Sequence, residues 1–339
     1  MSDMQIVQVG LGGWGRNWYS QVLSKFPGVS VVGLVDSSAA AIAAAKKELD
    51  APSELYYPTV ADAMAATDCE AVVITASLEG HVPTALAAIE SGKHVLTEKP
   101  FAPSIAEANR AVHAAKTAGT VLMVSQNYRF YPAPRAVCNL VSSLELGELG
   151  ALHVDFRRDN VEFRERSKRH YALSHPLLAD MAIHHFDLMR MVTGSEPRQM
   201  SFYTHNPPWS HYNDPPAANG TIEFENGVVA SYRGSWVSPG PITPWAGEWR
   251  MEFAKGEVRW TSRADDTARA DEVVVRPLGK PEKQLPMKKL PHLDRAGSLA
   301  EFVRAIREGA PYENSGESNR GSIAMVFAAI ESSEKLRPV

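Results

Sequence analysis

The chain has 339 residues, a length that predicts two domains rather than a single core. Hydrophobic residues make up 44% of it and charged residues 22%, as in soluble globular proteins, and the net charge of −4 argues against a nucleic-acid partner. No apolar run reaches the roughly 18 residues of a membrane span, and Cys69 and Cys138 are too few for a disulfide framework or a cysteine-rich metal site. We therefore expect a cytoplasmic protein with neither a nucleic acid nor a membrane as partner.

Residues 5–125 alternate short apolar segments with Ala-rich segments of helical period. The apolar segments are rich in Val, Ile and Leu throughout, which favours strands buried on both faces of a parallel sheet. The predicted strands are 5–9, 30–35, 71–75, 94–97 and 121–125, and the predicted helices are 14–25, 38–49, 59–65, 81–91 and 105–118. This alternation predicts an α/β fold, a doubly wound parallel Rossmann sheet with right-handed crossovers.

The pattern changes after about residue 126, where longer strands with hairpin turns replace the alternation. Glu225-Asn226-Gly227 and Lys255-Gly256 are typical of such turns and favour an antiparallel sheet. The predicted strands are 151–157, 199–205, 220–224, 228–236, 249–254, 257–261 and 272–276, and the predicted helices are 133–144, 176–193, 296–308 and 319–335. We therefore predict a dinucleotide-binding domain at 1–125 and an α+β domain with a large, mostly antiparallel open sheet at 126–339.

A glycine motif, Gly10-Leu11-Gly12-Gly13-Trp14-Gly15, lies where the first strand meets the first helix. Glycines there suit a tight turn whose backbone approaches a pyrophosphate, and the helix that follows directs N–H groups at the phosphates. The alternative is a flexible glycine loop, which the preceding strand and the following helix disfavour. We expect the cofactor to be bound by Gly10, Gly12, Gly13, Trp14 and Gly15.

Asp36 ends the second predicted strand, where an acid accepts hydrogen bonds from the adenosine ribose. A carboxylate repels a 2′-phosphate, and Ser37 and the two residues after it include no arginine to hold one. The sequence therefore predicts NAD rather than NADP, with Asp36 and Ser37 in the cofactor site. The alternative is that Asp36 only caps the next helix, which Ser37 or Ser38 can also do.

Polar residues lie at the carboxyl ends of two further predicted strands, 71–75 and 94–97, at the edge where open α/β sheets bind their ligands. Glu98, Lys99 and Pro100 follow the strand at 94–97, and the proline restricts Lys99 to extended backbone and permits a cis bond. We predict that Lys99 is catalytic, the alternative being a surface lysine in a polar turn. We expect the cofactor site also to include Thr75, His81, Glu98 and Lys99.

Asp180 and His184 are four residues apart on the helix predicted at 176–193, so they share one face. Asp187 lies three residues beyond His184, whereas His185 points elsewhere. We predict that Asp180 and His184 are catalytic. The alternatives are an ion pair on the helix face, a core histidine, or a zinc or iron site, and we expect no metal because no further ligands follow nearby.

The glycine motif, Glu98-Lys99-Pro100 and the later pattern of Asp180, His184 and Asp187 resemble the Gfo/Idh/MocA family, named after glucose–fructose oxidoreductase and inositol dehydrogenase. The resemblance covers almost the whole chain, including residues 91–95 before the Glu-Lys-Pro motif. It implies Lys99, Asp180 and His184 as the catalytic set, sugars or cyclitols as substrates, and a homodimer or homotetramer formed through the C-terminal sheet. The chain departs from the family where Ser174-His175-Pro176-Leu177-Leu178 replaces a glycine-rich run and where Ala182 replaces a common glycine.

These residues predict hydride transfer between a secondary hydroxyl and NAD. His184 would take the hydroxyl proton because an imidazole titrates near neutral pH, Lys99 would stabilise the developing alkoxide, and Asp180 would orient Lys99 or relay the proton. Two alternatives stay open. One is a redox-assisted glycosidase that acts by oxidation and elimination on an anionic sugar glycoside, and the other is a non-catalytic NAD-binding sensor.

Several residues are candidates for binding the substrate. The stretch 157–170 is rich in arginine and lysine and precedes the predicted catalytic helix, so Arg157 and Arg164 are candidate ligands of an acidic sugar. The alternative is a solvated basic loop or an oligomer contact. Tyr128 and Arg129, just after the last Rossmann strand, are further candidates together with His184. Aromatic residues that can stack on sugar rings are Trp209, His211, Tyr212, Trp236 and Trp245.

Overall fold

A computed structural model describes residues 2–159, 171–264 and 268–335. The chain divides into two compact units, of which the first comprises Met1–Gln126 and Arg295–Arg320 and the second Asn127–Asp294 and Gly321–Val339. These units differ from the predicted domains 1–125 and 126–339 because residues 295–320 pack with the first unit. Within that unit, the N–H of Val124 donates to the carbonyl of Asn314 at 2.9 Å, and Arg307 pairs with Glu70 at 2.7 Å.

The first unit contains a parallel sheet with the strand order β3-β2-β1-β4-β5-β6. Its strands are β1 Met4–Val9, β2 Val29–Val35, β3 Tyr56–Tyr57, β4 Ala71–Ile74, β5 His94–Thr97 and β6 Leu122–Val124. Its helices include Gly13–Gln21, Ala39–Glu48, Val60–Ala66, Leu78–Glu90 and Ile105–Ala118. The order reverses direction between β1 and β4, as in a doubly wound sheet, so the predicted Rossmann fold is confirmed.

Local signals fix the helix ends of the first unit. Ser38, Thr59 and Ser104 each accept a hydrogen bond from a backbone N–H of the first turn of the helix that follows. Gly119 ends the helix Ile105–Ala118 in the left-handed conformation that glycine adopts without strain. The short strand β3 was not predicted, because a two-residue strand has no measurable hydrophobic period.

The second unit contains a sheet with the order β14-β13-β12-β11-β7-β10-β9-β8. Its strands are β7 Leu149–Arg157, β8 Pro197–His205, β9 Ala217–Phe224, β10 Val229–Ser235, β11 Glu248–Phe253, β12 Gly256–Thr261, β13 Glu272–Pro277 and β14 Lys283–Gln284. Strands β7 and β10 run parallel, and the other neighbouring pairs among the described residues are antiparallel. The predicted mostly antiparallel sheet and its two hairpins, β9–β10 and β11–β12, are confirmed.

One face of this sheet is buried. Side chains alternate between buried and exposed along β10 and β11, as expected for a sheet with one covered face. Phe186, from a helix at Ile183–Thr193, packs edge-on against Phe202 of β8 at 5.7 Å and lies 5.7 Å from Tyr232 of β10. The remaining helices are Pro132–Ser143, Asp294–Glu308 and Gly316–Lys335. Every helix in the described part of the chain is too short or too polar to cross a membrane.

The helix predicted at 176–193 is not a uniform α-helix. Residues Leu177–Ala182 form a π-helical turn, and the α-helix begins at Ile183. Asp180 therefore lies in the wider π turn and His184 in the α-helix, and the simple spacing of four residues on one α-helical face is wrong. A π turn inside a helix is rare and often occurs at functional sites.

A buried ion pair holds the helix Ile183–Thr193 in place. Asp187, 2% exposed, accepts two hydrogen bonds from the Arg129 guanidinium, at 2.6 and 2.8 Å, and a third from Ser322 at 2.8 Å. Arg190 donates to Ser322 and pairs with Glu196. Removing one partner of a buried pair of this kind typically costs about 3–5 kcal/mol, so these contacts fix the helix position.

His185 anchors the same helix to the sheet. Its Nε2 lies 3.0 Å from the carbonyl oxygen of Trp245, which can only accept, so this nitrogen carries the proton. Its Nδ1 then accepts from the Tyr232 hydroxyl at 3.1 Å. Burial lowers the pKa of His185 from 6.5 to about 4, although the Trp245 hydrogen bond acts in the opposite direction. His185 is thus neutral at neutral pH, which confirms that it points away from His184 and into the core.

The depressed pKa of His185 predicts a pH-dependent stability of the second unit. In the unfolded chain, His185 is protonated below about pH 6.5, whereas in the folded protein it stays neutral down to about pH 4. The free energy of unfolding should therefore decrease as the pH falls through this window. His185→Gln should lower the slope by up to about 1.4 kcal/mol per pH unit. Urea unfolding at several pH values measures this slope, and an unchanged slope in the variant would contradict the assignment.

Candidate functional site

The glycine motif forms a tight turn between β1 and the helix Gly13–Gln21. Gly10 has a φ of +101°, and a Cβ added there would lie 2.4 Å from the backbone nitrogen of Ala76. A Cβ on Gly15 would lie 1.9 Å from the carbonyl oxygen of Gly10. These two positions therefore require glycine because the strand, the turn and the helix pack closely.

Gly12 and Gly13 have the opposite environment. Among the described residues, no heavy atom lies within 4 Å of a Cβ built at either position, so their backbone faces open space. The helix begins directly after Gly12 and carries no acidic side chain in its first turn. A phosphate fits this space because it meets the backbone N–H groups and the positive end of the helix dipole without a Cβ in the way.

Asp36 supports the glycine turn. One carboxylate oxygen accepts from the N–H of Leu11 at 2.7 Å, and the other accepts from the N–H of Ser38 at 2.8 Å. Each oxygen retains acceptor capacity for a ribose hydroxyl. Ser38 caps the following helix through Ala41, so capping is the role of Ser38 rather than of Asp36, and Ser37 is exposed between them.

Trp14 is held by an arginine distant in sequence. Its indole is 47% exposed, and the Arg295 guanidinium lies 4.4 Å from its ring centre and 5.5 Å from that of Trp18. Trp18 in turn donates its indole N–H to Glu98 at 2.6 Å. Sequence reasoning missed Arg295 because it lies near the start of the helix Asp294–Glu308, where no motif marks it.

Thr75, His81 and Glu98 all contact the protein itself at the carboxyl edge of the sheet. The Thr75 hydroxyl donates to the carbonyl of Gly10 at 2.7 Å. The two ring nitrogens of His81 lie 2.8 Å from the carbonyl of Pro100 and 3.0 Å from that of Ala76. These contacts shape the turns around the glycine motif, and direct contact of the three side chains with a cofactor stays a prediction.

Lys99 follows β5 directly, as predicted. The peptide bond between Lys99 and Pro100 is cis. The N–H of Glu98 donates to the carbonyl of Ile74 at 2.9 Å, and the N–H of Lys99 donates to the Glu98 carboxylate at 3.2 Å. Lys99 is half-buried, so it is not the freely solvated surface lysine of the alternative interpretation.

His184 lies in a ring cluster of the second unit. Its imidazole stacks on the Tyr128 ring, with 4.0 Å between the centroids and 3° between the planes. The Arg263 guanidinium carbon lies 4.5 Å from the centroid of the Tyr128 ring, and Arg263 donates a hydrogen bond to the Tyr128 hydroxyl at 3.1 Å. Both stacked residues are buried, so the orientation of the imidazole is fixed by packing.

The charge of Asp180 acts on Tyr128. The pKa of Tyr128 is raised to about 12, mainly by burial; the charges of Asp294 and Asp180 also raise it, whereas those of Arg263 and Arg158 lower it. Tyr128 is therefore a neutral phenol at physiological pH. The structure thus stacks His184 on Tyr128 in the second unit, and the charge of Asp180, from the preceding π turn, acts on the same phenol.

The predicted substrate-binding arginines have other contacts. Arg129 is engaged by Asp187, as described above. Arg157 pairs with Asp155 and with Glu248, the latter at 2.9 Å, and donates to the carbonyl of Pro241 at 3.0 Å. These contacts give no support to a substrate role for either. Arg164, like residues 160–170 as a whole, lies outside the described residues.

Arg158 was part of the basic stretch but was not singled out. Its guanidinium lies over the Trp245 ring, 4.0 Å from the ring centroid. Trp245 was one of several aromatic candidates for stacking on a sugar. No group of three or more His, Cys, Asp or Glu side chains in residues 2–159, 171–264 and 268–335 is arranged to hold a metal ion.

Comparisons with known proteins agree with this architecture. A family model described as "Oxidoreductase family, NAD-binding Rossmann fold" matches residues 4–126, and one described as "GFO/IDH/MocA C-terminal domain" matches residues 134–258. Uncharacterized protein y4oX of Sinorhizobium fredii is 27% identical over 344 residues, which cover 99% of this chain and 95% of that protein. The scyllo-inositol 2-dehydrogenase (NAD(+)) of Bacillus subtilis is 26% identical over 238 residues, 68% of this chain and 67% of that enzyme.

The fold is also found among solved structures. An oxidoreductase from Agrobacterium radiobacter, in complex with NAD+, L-tartaric acid and magnesium, has a TM-score of 0.85 at 18% identity and covers 100% of this chain and 98% of its own. The predicted family resemblance, fold class and NAD-binding Rossmann domain are confirmed by these matches. The chain belongs to the Gfo/Idh/MocA family of NAD-binding oxidoreductases.

Proposed function

We propose that this chain is an NAD-dependent dehydrogenase that oxidises a secondary hydroxyl of a sugar or cyclitol, with Lys99, Asp180 and His184 as its catalytic residues. The family membership supports hydride transfer, and the relative named scyllo-inositol 2-dehydrogenase supports a polyol substrate. The observation that carries the proposal is that packing fixes the orientation of the His184 imidazole. It is 5% exposed and stacks face to face on a neutral phenol, whose pKa the charge of Asp180 helps to raise.

The glycine turn supports binding of the dinucleotide. Gly12 and Gly13 leave room for its pyrophosphate, and the spare lone pairs of Asp36 suit a ribose with both hydroxyls free. The negative charge of Asp36 opposes a 2′-phosphate, which favours NAD over NADP. When bound, NAD supplies the acceptor for the hydride that leaves the substrate carbon.

His184 is proposed as the base that removes the hydroxyl proton. An imidazole is suited to this role because its ordinary pKa lies near neutral pH. The stack on Tyr128 restricts rotation of the ring, so little ordering is needed when a substrate hydroxyl approaches. His185 cannot substitute, since burial lowers its pKa to about 4 and both of its ring nitrogens are engaged.

Lys99 and Asp180 are proposed to act on the charge that develops on the substrate oxygen. The Lys99 ammonium would stabilise the alkoxide, an effect that is strong where water is excluded. Asp180 would orient that ammonium or pass the proton onward. The contact of the Lys99 N–H with the Glu98 carboxylate supports a fixed backbone at this position.

We also propose that the chain forms a homodimer or homotetramer through the outward face of the second sheet. Oppositely charged side chains alternate across this face, as in the pairs of Arg233 with Asp155 and of Arg250 with Glu257. Tyr203 and Val229 add exposed apolar surface, at 59% and 42% exposed. A second copy can satisfy both features, because a two-fold interface brings the same patch from each protomer together.

The glycine turn yields a paired prediction. Gly12→Ala should retain the stability of the protein but weaken NAD binding at least about tenfold, because the new methyl group fits the protein and occupies the space proposed for the pyrophosphate. Gly15→Ala should instead lower the melting temperature, since its Cβ would collide with the Gly10 carbonyl. NAD and NADP titrations with thermal melts measure both effects. Gly240→Ala, whose Cβ would make only an ordinary contact, is the control.

The role of His184 is tested with two variants. His184→Ala removes the base, and His184→Phe keeps a ring for the Tyr128 stack but cannot accept a proton. Both should lower kcat by about 10²–10⁴-fold while NAD affinity stays unchanged. NADH formation over neutral and acidic sugars, cyclitols and glycosides is the assay, and sugar oxidation by His184→Phe at the native rate would refute the role. Release of aglycone without net NADH would identify a redox-assisted glycosidase instead.

The assembly proposal predicts that light scattering finds a dimer or tetramer in dilute solution. Tyr203→Glu combined with Val229→Glu should reduce the mass to that of the monomer, because two buried carboxylates oppose association. The double variant Lys25→Gln and Lys47→Gln changes the net charge by the same two units at exposed positions elsewhere on the chain and should leave the mass unchanged. A monomeric native protein would overturn the proposal.

A further inference from the structure

Arg158 is held in a defined position at the end of β7. Its N–H donates to the carbonyl of Ser235 at 2.9 Å, and its own carbonyl accepts from the N–H of Ser238 at 2.9 Å. The carbon of its guanidinium lies over the Trp245 ring, 4.0 Å from the centroid, which is a cation–π contact. A side chain fixed at both its backbone and its head group is already ordered before a ligand arrives.

Trp245 connects Arg158 to the His184 cluster. The N–H of Trp245 donates to the carbonyl of Arg263 at 2.7 Å, and its carbonyl accepts from His185, the neighbour of His184 on the same helix. Arg263 contacts Tyr128, on which His184 stacks. The charge of Arg158 also acts on Tyr128 and lowers its pKa. Arg158 thus belongs to the same group of residues as the proposed base.

The two arginines near Tyr128 differ in their charge balance. Arg263 is compensated by Asp294, whose carboxylate lies 3.2 Å from its Nε. No carboxylate of the described residues pairs with Arg158, and its Nε is buried there with no hydrogen-bond partner. Burial lowers the pKa of Arg158, and the nearby charge of Arg263 lowers it further. Arg158 as a whole is half-buried, but a buried N–H donor without an acceptor is unfavourable unless a ligand supplies one.

We propose that Arg158 binds a carboxylate of the substrate, so that the preferred substrates are carboxylated sugars such as uronates. A guanidinium that stacks on an indole keeps its N–H groups at its edge, where they match the planar pair of oxygens in a carboxylate. Trp245 at the same time excludes water from one face of the guanidinium, which strengthens the interaction. The inference rests on the proposed dehydrogenase function and names the substrate class for it.

The test compares sugars that differ only at one carbon. D-glucuronate is paired with D-glucose and D-galacturonate with D-galactose, and kcat/KM with NAD is measured for each. The native protein should prefer the uronate of at least one pair, and Arg158→Met should reduce the ratio of uronate to neutral sugar by about 10–100-fold. Methionine keeps an apolar stem against Trp245 but has no charge. Arg158→Lys, which keeps the charge without the planar fork, should give an intermediate ratio.

Arg198→Met is the matched control, because it removes one positive charge from an exposed arginine that pairs with Glu223 in the same unit. Its ratio should equal that of the native protein. A ratio that falls in Arg157→Met and not in Arg158→Met would overturn the assignment of the ligand to Arg158. Tighter binding of glucose 6-phosphate than of glucuronate would overturn the choice of a carboxylate.

Isothermal titration calorimetry with the same sugars distinguishes a failure of the carboxylate-binding role of Arg158 from a failure of the proposed dehydrogenase function. Turnover of neutral sugars, with no uronate preference and no effect of Arg158→Met on the ratio, would overturn the inference and leave the dehydrogenase intact. Uronate binding that depends on Arg158, without turnover of any sugar or cyclitol, would support the inference and overturn the dehydrogenase. Absence of uronate binding in the native protein would overturn the inference directly.

Discussion

The buried pair of Asp187 with Arg129 is the interaction on which the second unit depends. Asp187 receives two hydrogen bonds from the guanidinium and one from Ser322, so its three hydrogen bonds reach side chains that lie far apart in sequence. A charge removed from water in this way tolerates few positions of its helix. The helix Ile183–Thr193 is therefore fixed in rotation as well as in place, and the directions of its other side chains follow.

Two neighbouring histidines show the effect of that fixed rotation. His185 points into the core, where burial keeps it neutral and the carbonyl of Trp245 decides which nitrogen carries its proton. His184 points to Tyr128 and stacks on it. Two neighbouring imidazoles thus have different surroundings: that of His185 supports the fold, and that of His184 is the one proposed for proton transfer. The π turn at Leu177–Ala182 directly before this helix carries Asp180, whose charge acts on Tyr128.

The sequence predicted those features that rest on local signals. Hydrophobic period, helix caps and hairpin turns gave both sheets and most element boundaries, and the glycine spacing gave the turn at Gly10–Gly15, because each depends on neighbouring residues alone. The π turn was missed because its residues fit an α-helical pattern equally well. Arg129 was predicted to bind the substrate, and its pairing with Asp187 could not be predicted because the two residues are close only in the fold.

Charged side chains account for most of the remaining differences. Arg157 and Arg158 are adjacent arginines that the sequence alone does not distinguish. In the fold, Arg157 at the end of β7 pairs with Asp155, whereas Arg158 lies over the Trp245 ring. Arg295 reaches Trp14 through the chain that returns to the first unit. Pairing between distant residues is decided by topology, and a single sequence carries no signal for it.

The bond between Asp36 and the N–H of Leu11 has a consequence for redesign of the cofactor preference. Exchanging this acid for a small neutral residue is the direct way to admit a phosphorylated adenosine, but it would also release the backbone of the glycine turn. Relaxed specificity and a loosened nucleotide loop would then arise together. Asp36→Asn keeps one acceptor oxygen for Leu11 while removing the repulsive charge, and is therefore the gentler first step.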